Sequence, residues 1–374
     1  MRFSITHKHI QEVLTKFGRV LSNRISLPIL AGVLVQATEQ FILFTASDSS
    51  DSVVVRLLVD EKDGVIVTEA GSTVLHKDIF DTSKRLKGAI NFKLNSQNTH
   101  VNISQNKTVL DFAVMNAEEY PAISSNDQNI GQYKMSGNEF GEIVRKTSFA
   151  ALKSESRPVL QAVQMTFSST GSHYVCTDSH RLATYSKAEL EQENSISLNV
   201  PAKALDQAIK SFDLTKEVII LASKNQIAFA NGNTIMYSRL IEGNFPETSR
   251  LIPSEFNSNL IVNRQELIDA LELLQVLTVN SSIQLTIGNL FASLDARSEV
   301  SKGNREIAFE SYDGEEDFTI AFSAQFVLDA LKTFDASSVC IAFTGSMRPF
   351  VITEVTENKS DVSSLQLILP IRTY

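Results

Sequence analysis

Thr6-His7-Lys8-His9-Ile10-Gln11-Glu12-Val13-Leu14 is one of three versions of the same pattern in this chain. A capping residue is followed by three spacers and then by apolar residues on one helical face. The pattern returns as Ser136 with Phe140, Ile143 and Val144, and as Asn263 with Leu267, Ala270 and Leu271, at offsets of 130 and 127 residues. A second helical pattern recurs at Lys84 and Leu86, Lys210 and Phe212, and Lys332 and Phe334. Each unit closes on an apolar residue before proline, at Tyr120-Pro121, Phe245-Pro246 and Leu369-Pro370. Repeats of about 20–50 residues indicate solenoids, whereas a period of about 125 is the size of a whole domain. The chain therefore reads as three copies of one domain, expected at 1–125, 130–250 and 253–374.

Each copy opens on a short strand, at Phe3–Ile5, Tyr133–Met135 and Leu260–Val262, and then the capped helix. Ser136 with Glu139 and Asn263 with Glu266 have capping-box spacing, and Thr6 with His9 is a weaker version. Alternating strands follow at Gly32–Ala37, Gln164–Phe167 and Ile283–Ile287. Leu27-Pro28-Ile29-Leu30, read as a strand, matches Arg157-Pro158-Val159-Leu160, and Ala46-Ser47-Asp48 matches Cys176-Thr177-Asp178, all at the offset of 130. The second helices are expected at 76–87, 201–212 and 323–334, with Pro201 as a first helical residue and Ser323 as a cap. Linkers are expected near 122–131 and 247–259, and exposed loops or hairpins at 298–305 and 356–364. The order of strand, helix, strands, helix, strands predicts an α+β domain with helices on one face of antiparallel sheet.

Composition narrows the class. At 374 residues, 43% apolar and 21% charged, each third can bury a core. No apolar run approaches 18 residues, and Met1 to Lys8 lacks a signal-peptide core, so a cytoplasmic protein without a membrane span is expected. Cys176 and Cys340 lie in apolar, strand-like runs and read as buried thiols in a reducing compartment. The net charge of −9 argues against gripping nucleic acid by bulk charge, while leaving room for a local basic face.

Catalytic and cofactor signatures are missing. The chain has no phosphate-binding P-loop, no dinucleotide fingerprint and no zinc spacing, so no cofactor and no metal are expected. Asp313-Gly314-Glu315-Glu316-Asp317 lacks the ligand alternation of a calcium loop and reads as a solvated turn. Asp178-Ser179-His180 cannot act as a triad, because three successive residues do not converge from separate places. A turn in which Asp178 and Ser179 bond to backbone is the expectation.

Thr177-Asp178-Ser179-His180-Arg181-Leu182-Ala183 is a specific string. With Arg157-Pro158-Val159-Leu160, Glu242-Gly243-Asn244-Phe245-Pro246, Arg250-Leu251-Ile252-Pro253 and the ending Leu369-Pro370-Ile371-Arg372-Thr373-Tyr374, it resembles the bacterial sliding clamp family, the beta subunit of DNA polymerase III, in the form common in low-GC Gram-positive bacteria. The resemblance runs from Phe3 to Tyr374 and covers the threefold repeat. It implies three tandem clamp domains, with antiparallel sheets outside and helices inside. It further implies a head-to-tail homodimer closed into a ring around duplex DNA, with no catalytic activity of its own. The implied partners are the replicative polymerase, the clamp loader and other proteins that carry short clamp-binding peptides.

The family pattern also implies sites. Basic residues facing DNA would be Arg24, Lys77, Lys84, Arg85, Lys203, Lys210 and Lys332. The lining is expected to be uneven, because Lys332 is balanced by Asp329 and the helix at 263–278 is net acidic. A dimer contact is implied between the strand around Leu110 and the helix carrying Val276 and Leu277. A peptide groove between the second and third copies would use Leu160, Thr177, His180, Arg181 and Leu182 as one wall and Pro246, Arg250 and Leu251 as its middle. Met347, Leu369, Pro370, Ile371 and Arg372 would close it. The main alternative is a clamp paralogue that binds such peptides but loads poorly on DNA, motivated by the weakly basic third copy. A hydrolase using Ser179 and His180 is the other.

Overall fold

The computed structural model describes residues 1–18, 20–21, 27–123, 130–188, 195–278, 282–356 and 362–372. Six α-helices lie among them: α1 (His7–Phe17), α2 (Lys77–Ser83), α3 (Gly137–Thr147), α4 (Ala202–Ser211), α5 (Arg264–Gln275) and α6 (Ala324–Leu331). The three opening strands, Arg2–Thr6, Gly131–Ser136 and Ser258–Asn263, lead into α1, α3 and α5 as the repeat predicts. Their caps follow the sequence spacing. Ser136 Oγ accepts from the Glu139 N–H at 3.1 Å, and Asn263 Oδ1 accepts from the Glu266 N–H at 3.0 Å. At the first helix the arrangement is partial, with the Thr6 N–H donating to His9 Nδ1 at 3.3 Å.

The chain divides into two compact units. One comprises Met1–Gly141 with Lys203–Leu240, and the other Glu142–Ala202 with Ile241–Tyr374. In the first, an eight-stranded antiparallel sheet runs in the order Gly131–Ser136, Glu217–Ala222, Gln226–Asn231, Thr234–Arg239, Asp51–Leu58, Phe41–Ser47, Gly32–Ala37, Gly71–His76. Its second sheet runs Ile66–Glu69, Arg2–Thr6, Ala89–Leu94, His100–Gln105, Thr108–Ala113. In the second unit, nine strands run in the order Ile196–Pro201, Ala162–Ser168, Gly171–Thr177, Arg181–Lys187, Val362–Ile368, Phe350–Glu354, Ser338–Phe343, Ser258–Asn263, Ser311–Asp313. Its four-stranded sheet runs Lys302–Ile307, Ala292–Arg297, Ser282–Ile287, Phe318–Ser323.

Sheets therefore continue from one copy of the repeat into the next. Asp51–Leu58 of the first copy pairs with Thr234–Arg239 of the second, and Arg181–Lys187 of the second pairs with Val362–Ile368 of the third. The repeat extends to backbone detail. Ser47 and Ser52, Thr177 and Leu182, and Arg297 and Lys302 each close a four-residue turn. In the first two turns Asp48 and Asp178 accept N–H bonds two and three residues on. Ser49 and Ser179 sit at φ +82° and +77°, and the aspartate bonds hold that otherwise disfavoured backbone. In the third copy α5 and α6 share one core with both sheets, where Leu271, Ile283, Leu294, Leu331 and Phe343 are buried. Each such side chain contributes roughly 1.5–3 kcal/mol.

Several expectations change. Leu27–Leu30 and Arg157–Leu160 do not form strands. Pro28–Ala31 and Pro158–Gln161 are 3-10 turns with proline in the first turn, where its fixed φ fits and its missing N–H costs nothing. The second helices are shorter than drawn: Lys84 and Lys332 stand at the C-caps of α2 and α6. Pro201 ends the strand Ile196–Pro201 and does not begin α4. Ser323 is at the N-cap of α6 but makes no side-chain cap bond. Residues 298–301 form a turn and Lys302–Ile307 a strand, which makes the first expected loop a hairpin. Val276 and Leu277 fall just beyond α5, Val276 being its C-cap. Cys176 is buried and Cys340 only half-buried; both are free thiols. Arg24, Thr373, Tyr374 and most of the loop expected at 356–364 lie outside the described residues.

Candidate functional site

The predicted groove lies within the second unit, and three turns build it. Pro158–Gln161 carries Leu160, which is buried. Arg157 donates to Ser179 Oγ at 3.2 Å, tying this turn to the one at 178–181. That bond corrects the sequence reading of Ser179, whose hydroxyl accepts from a side chain while its N–H donates to Thr177 Oγ1. His180 C=O then accepts from the Leu369 N–H at 3.0 Å, and Ala321 C=O accepts from the Ile371 N–H at 2.7 Å, so the segment after Ile368 is held by backbone bonds. On the other side, Asn199 donates to the carbonyls of Ile241 and Gly243, fixing the path that leads to Phe245 and Pro246. Gly243 has φ +117°, and an added Cβ would stand 3.9 Å from Val159.

Strand alternation decides which side chains share a face. Leu182 pairs with Leu367 across the ladder. These two form an apolar cluster with Val175 and Val351, covered by Phe245, Ile252 and Phe256. The neighbouring residue, Arg181, makes different contacts. It is only 6% exposed, donates to Asp178 and Asp329 at 3.1 and 2.6 Å and to the Phe149 carbonyl at 2.9 Å, and stacks over Phe149 and Phe326. The space beside it is too small for a water molecule. Thr177 is buried and donates to the Arg181 carbonyl at 2.6 Å. Arg181 and Thr177 thus brace the turn from within.

The rest of the predicted set is at the surface. Leu251 is 53% exposed, Met347 56% and Leu369 37%; Pro246, Arg250 and Arg372 are exposed, and Pro370 and Ile371 are partly so. The 3-10 turn Ser249–Leu251 presents Arg250 and Leu251. Hydrogen bonds from Ser249 hold the Glu247 carboxyl below its ordinary range and start that turn. His180 stacks on Phe326 with ring centroids 6.3 Å apart. Val175, Val351 and Leu367 were absent from the sequence reading and Phe245 entered it only within its strings, although the period-two spacing from Thr177 would have found Val175. A cavity of about 600 Å³ lies elsewhere, in the first unit, lined by residues including Phe41, Arg56, Tyr120 and Tyr237; none of the predicted residues borders it.

The basic residues fall on both units. Lys77, Lys84, Arg85, Lys203 and Lys210 belong to the first unit, on α2, the turn after it, and α4. All but Lys77 are exposed. Lys84 pairs with Asp81 at 2.7 Å. Lys332, in the second unit, pairs with Glu272 of α5 at 2.7 Å. Asp329, which offsets Lys332 in the charge count of that helix, pairs with Arg181 and not with Lys332. Leu110 is half-buried on the edge strand Thr108–Ala113. Val276 is 80% exposed, whereas Leu277 packs on its own domain's core. Among the described residues no group of three or more His, Cys, Asp or Glu is placed to hold a metal ion, and no helix is long and apolar enough to cross a membrane.

Comparison with known proteins agrees with this architecture. The families described as the N-terminal, central and C-terminal domains of the DNA polymerase III beta subunit match residues 1–124, 134–247 and 249–372. The beta sliding clamp of Bacillus subtilis is 30% identical over 385 residues, and that of Staphylococcus epidermidis 32% over 386, each covering all of both chains. The crystal structure of the DNA polymerase sliding clamp from Bacillus subtilis superposes with a TM-score of 0.93 at 28% identity, again over the whole of both chains. Three successive domain matches, full-length relatives and the shared fold lead to one conclusion: the chain belongs to the DNA polymerase III beta subunit family, the non-catalytic beta sliding clamps.

Proposed function

We propose that this sliding clamp works as a ring of two chains closed head to tail around duplex DNA, and that it tethers the replicative polymerase and other replication and repair proteins through short peptides held at the groove of the second unit. One observation carries the ring. Within the chain, each junction between copies is made by the third strand of one copy's meander and the last strand of the next copy's hairpin. The third such pair is Lys302–Ile307 and Thr108–Ala113, and each of these is the edge of its own sheet. Exposed edges need covering, and unlike ends pair head to tail. A second copy supplies both partners at once and closes the ring at two identical interfaces. The exposed Val276 and half-buried Leu110 would add apolar contact there.

The DNA contacts would come from Arg24, Lys77, Lys84, Arg85, Lys203 and Lys210, with Lys332 weakened by its pairing to Glu272. Enclosure would keep such a ring on DNA despite a net charge of −9, with DNA and its partners met in the cytoplasm. At the groove, Leu251, Met347 and Leu369 offer apolar contact to a peptide. His180, Arg250, Pro246 and the segment Pro370, Ile371 and Arg372 frame it. Leu160, Leu182, Thr177 and Arg181 support it from beneath. Sedimentation tests the ring. The unmodified chain should run at twice the chain mass, and Val276→Asp should shift it toward one chain that is still folded by circular dichroism. A single-chain mass for the unmodified protein at micromolar concentration would contradict the reading.

A further inference from the structure

We propose that the interface between two copies has a defined register, specified by two opposite-charge pairs: Lys302 of one chain with Asp111 of the other, and Glu306 with Lys107. The inference rests on the ring reading and takes its register from the junction inside the first unit.

In that junction, Ser52 closes the four-residue turn of one copy and pairs with Tyr237 of the next. Tyr237 lies three residues after Thr234, which closes the two-residue turn of its own hairpin opposite Asn231. The third copy has the same four-residue turn, closed by Lys302 opposite Arg297. The first copy has the same two-residue turn, closed by Thr108 opposite Gln105. Transposing the pairing therefore sets Lys302 opposite Asp111, Gly303 opposite Leu110 and Asn304 opposite Val109. The first junction also continues past the strand, with the Arg56 N–H donating to the Asn233 carbonyl at 2.9 Å. Its counterpart sets Glu306 opposite Lys107.

The side chains fit this register. Lys302, Asn304, Glu306, Lys107, Val109 and Asp111 are all exposed and lie two residues apart; the residues between them include Gly303 and Leu110, which pair with the buried Ala296 and Ile103, so the six share the outer face. On the opposite face Leu110 meets Gly303, where an added Cβ would come to 2.4 Å of the Leu277 side chain. Glycine leaves that space to Leu277 and, in the dimer, brings Leu110 against it. The two junctions inside the chain have no opposite-charge pair on this face: they set Ser52 against Tyr237 and Val54 against Ile235, and Leu182 against Leu367 and Thr184 against Leu365. Charge is thus confined to the one junction that must find its partner by diffusion. A slip of two residues loses both pairs. A slip of four sets Lys302 against Lys107 or Glu306 against Asp111, and like charges directly opposed are repulsive.

The test uses the full chain, with dimer dissociation measured by sedimentation. Lys302→Asp and Asp111→Lys singly convert attraction to repulsion at both interfaces and should each weaken the dimer roughly tenfold or more. Combined in one chain they should restore most of the affinity. High salt should weaken the unmodified dimer and leave Lys302→Ala with Glu306→Ala less affected. As a second reading of register, Val109→Cys with Asn304→Cys should give a covalent dimer on mild oxidation, and Val109→Cys with Lys302→Cys should not. A dimer whose charge reversals fail to rescue one another, or which crosslinks equally at 302 and 304, refutes the register while leaving the ring standing. An unmodified chain that never dimerises refutes both.

Discussion

Position matters more than residue type at the two ends of the 130-residue offset. Asp51 and Arg181 occupy the same place in successive copies, as the last residue of the four-residue turn. Arg181 finds Asp178 and Asp329 and is satisfied. Asp51 finds burial instead. Desolvation raises its carboxyl from the usual 3.8 to about 6; a Ser238 hydrogen bond opposes the rise and the Asp48 charge adds to it. One carboxylate oxygen has no hydrogen-bond partner. The pKa is higher folded than unfolded, so the stability from the neutral form is fully present below about pH 4 and is lost as pH rises through about 6. Two pKa units correspond to about 3 kcal/mol. Asp51→Asn should therefore raise stability by about 1–3 kcal/mol at pH 8 and by almost nothing at pH 4. Urea unfolding at the two pH values checks this, and an equal effect at both would show that the carboxylate is not desolvated.

At the scale of the elements, the capped helices were legible because a cap and an apolar stripe are local: Ser136 and Asn263 bond where their spacing says they should. The proline segments at Pro28 and Pro158 were misread because four apolar residues suit a strand or a 3-10 turn equally, and only the neighbours decide. Of the proposed groove, the matching strings named Leu160, His180 and Leu369, whose segments the structure brings together, but a string cannot say which side of a strand its residues face. Arg181, named in the same wall, spends its donors on Asp178, Asp329 and Phe149. The exposed groove residues are the ones to test. Met347→Ala and Leu251→Ala should each weaken binding of a labelled clamp-motif peptide by roughly 1–2 kcal/mol, about five- to thirtyfold, with the dimer unchanged. Fluorescence anisotropy reads this. Unchanged affinity in both variants would place the groove elsewhere.

For the whole molecule, the repeat announced three domains, and the strand pairing shows how neighbouring copies join through continuous sheets. The sequence could not show that the sheets cross copy boundaries, because ladder partners such as Met236 and Val53 lie far apart in the chain. That continuity leaves two matching edges unpaired, and it is the strongest physical reason to expect closure by a second chain. A closed ring holds DNA by enclosure, so its retention depends on the form of the DNA more than on salt. The most direct measurement loads the protein onto nicked circular duplex with a clamp loader, washes at high salt, and then linearises half the sample. The ring account predicts retention on the circles and rapid loss from the linear molecules; equal retention on both, or loss of both in the salt wash, would contradict it.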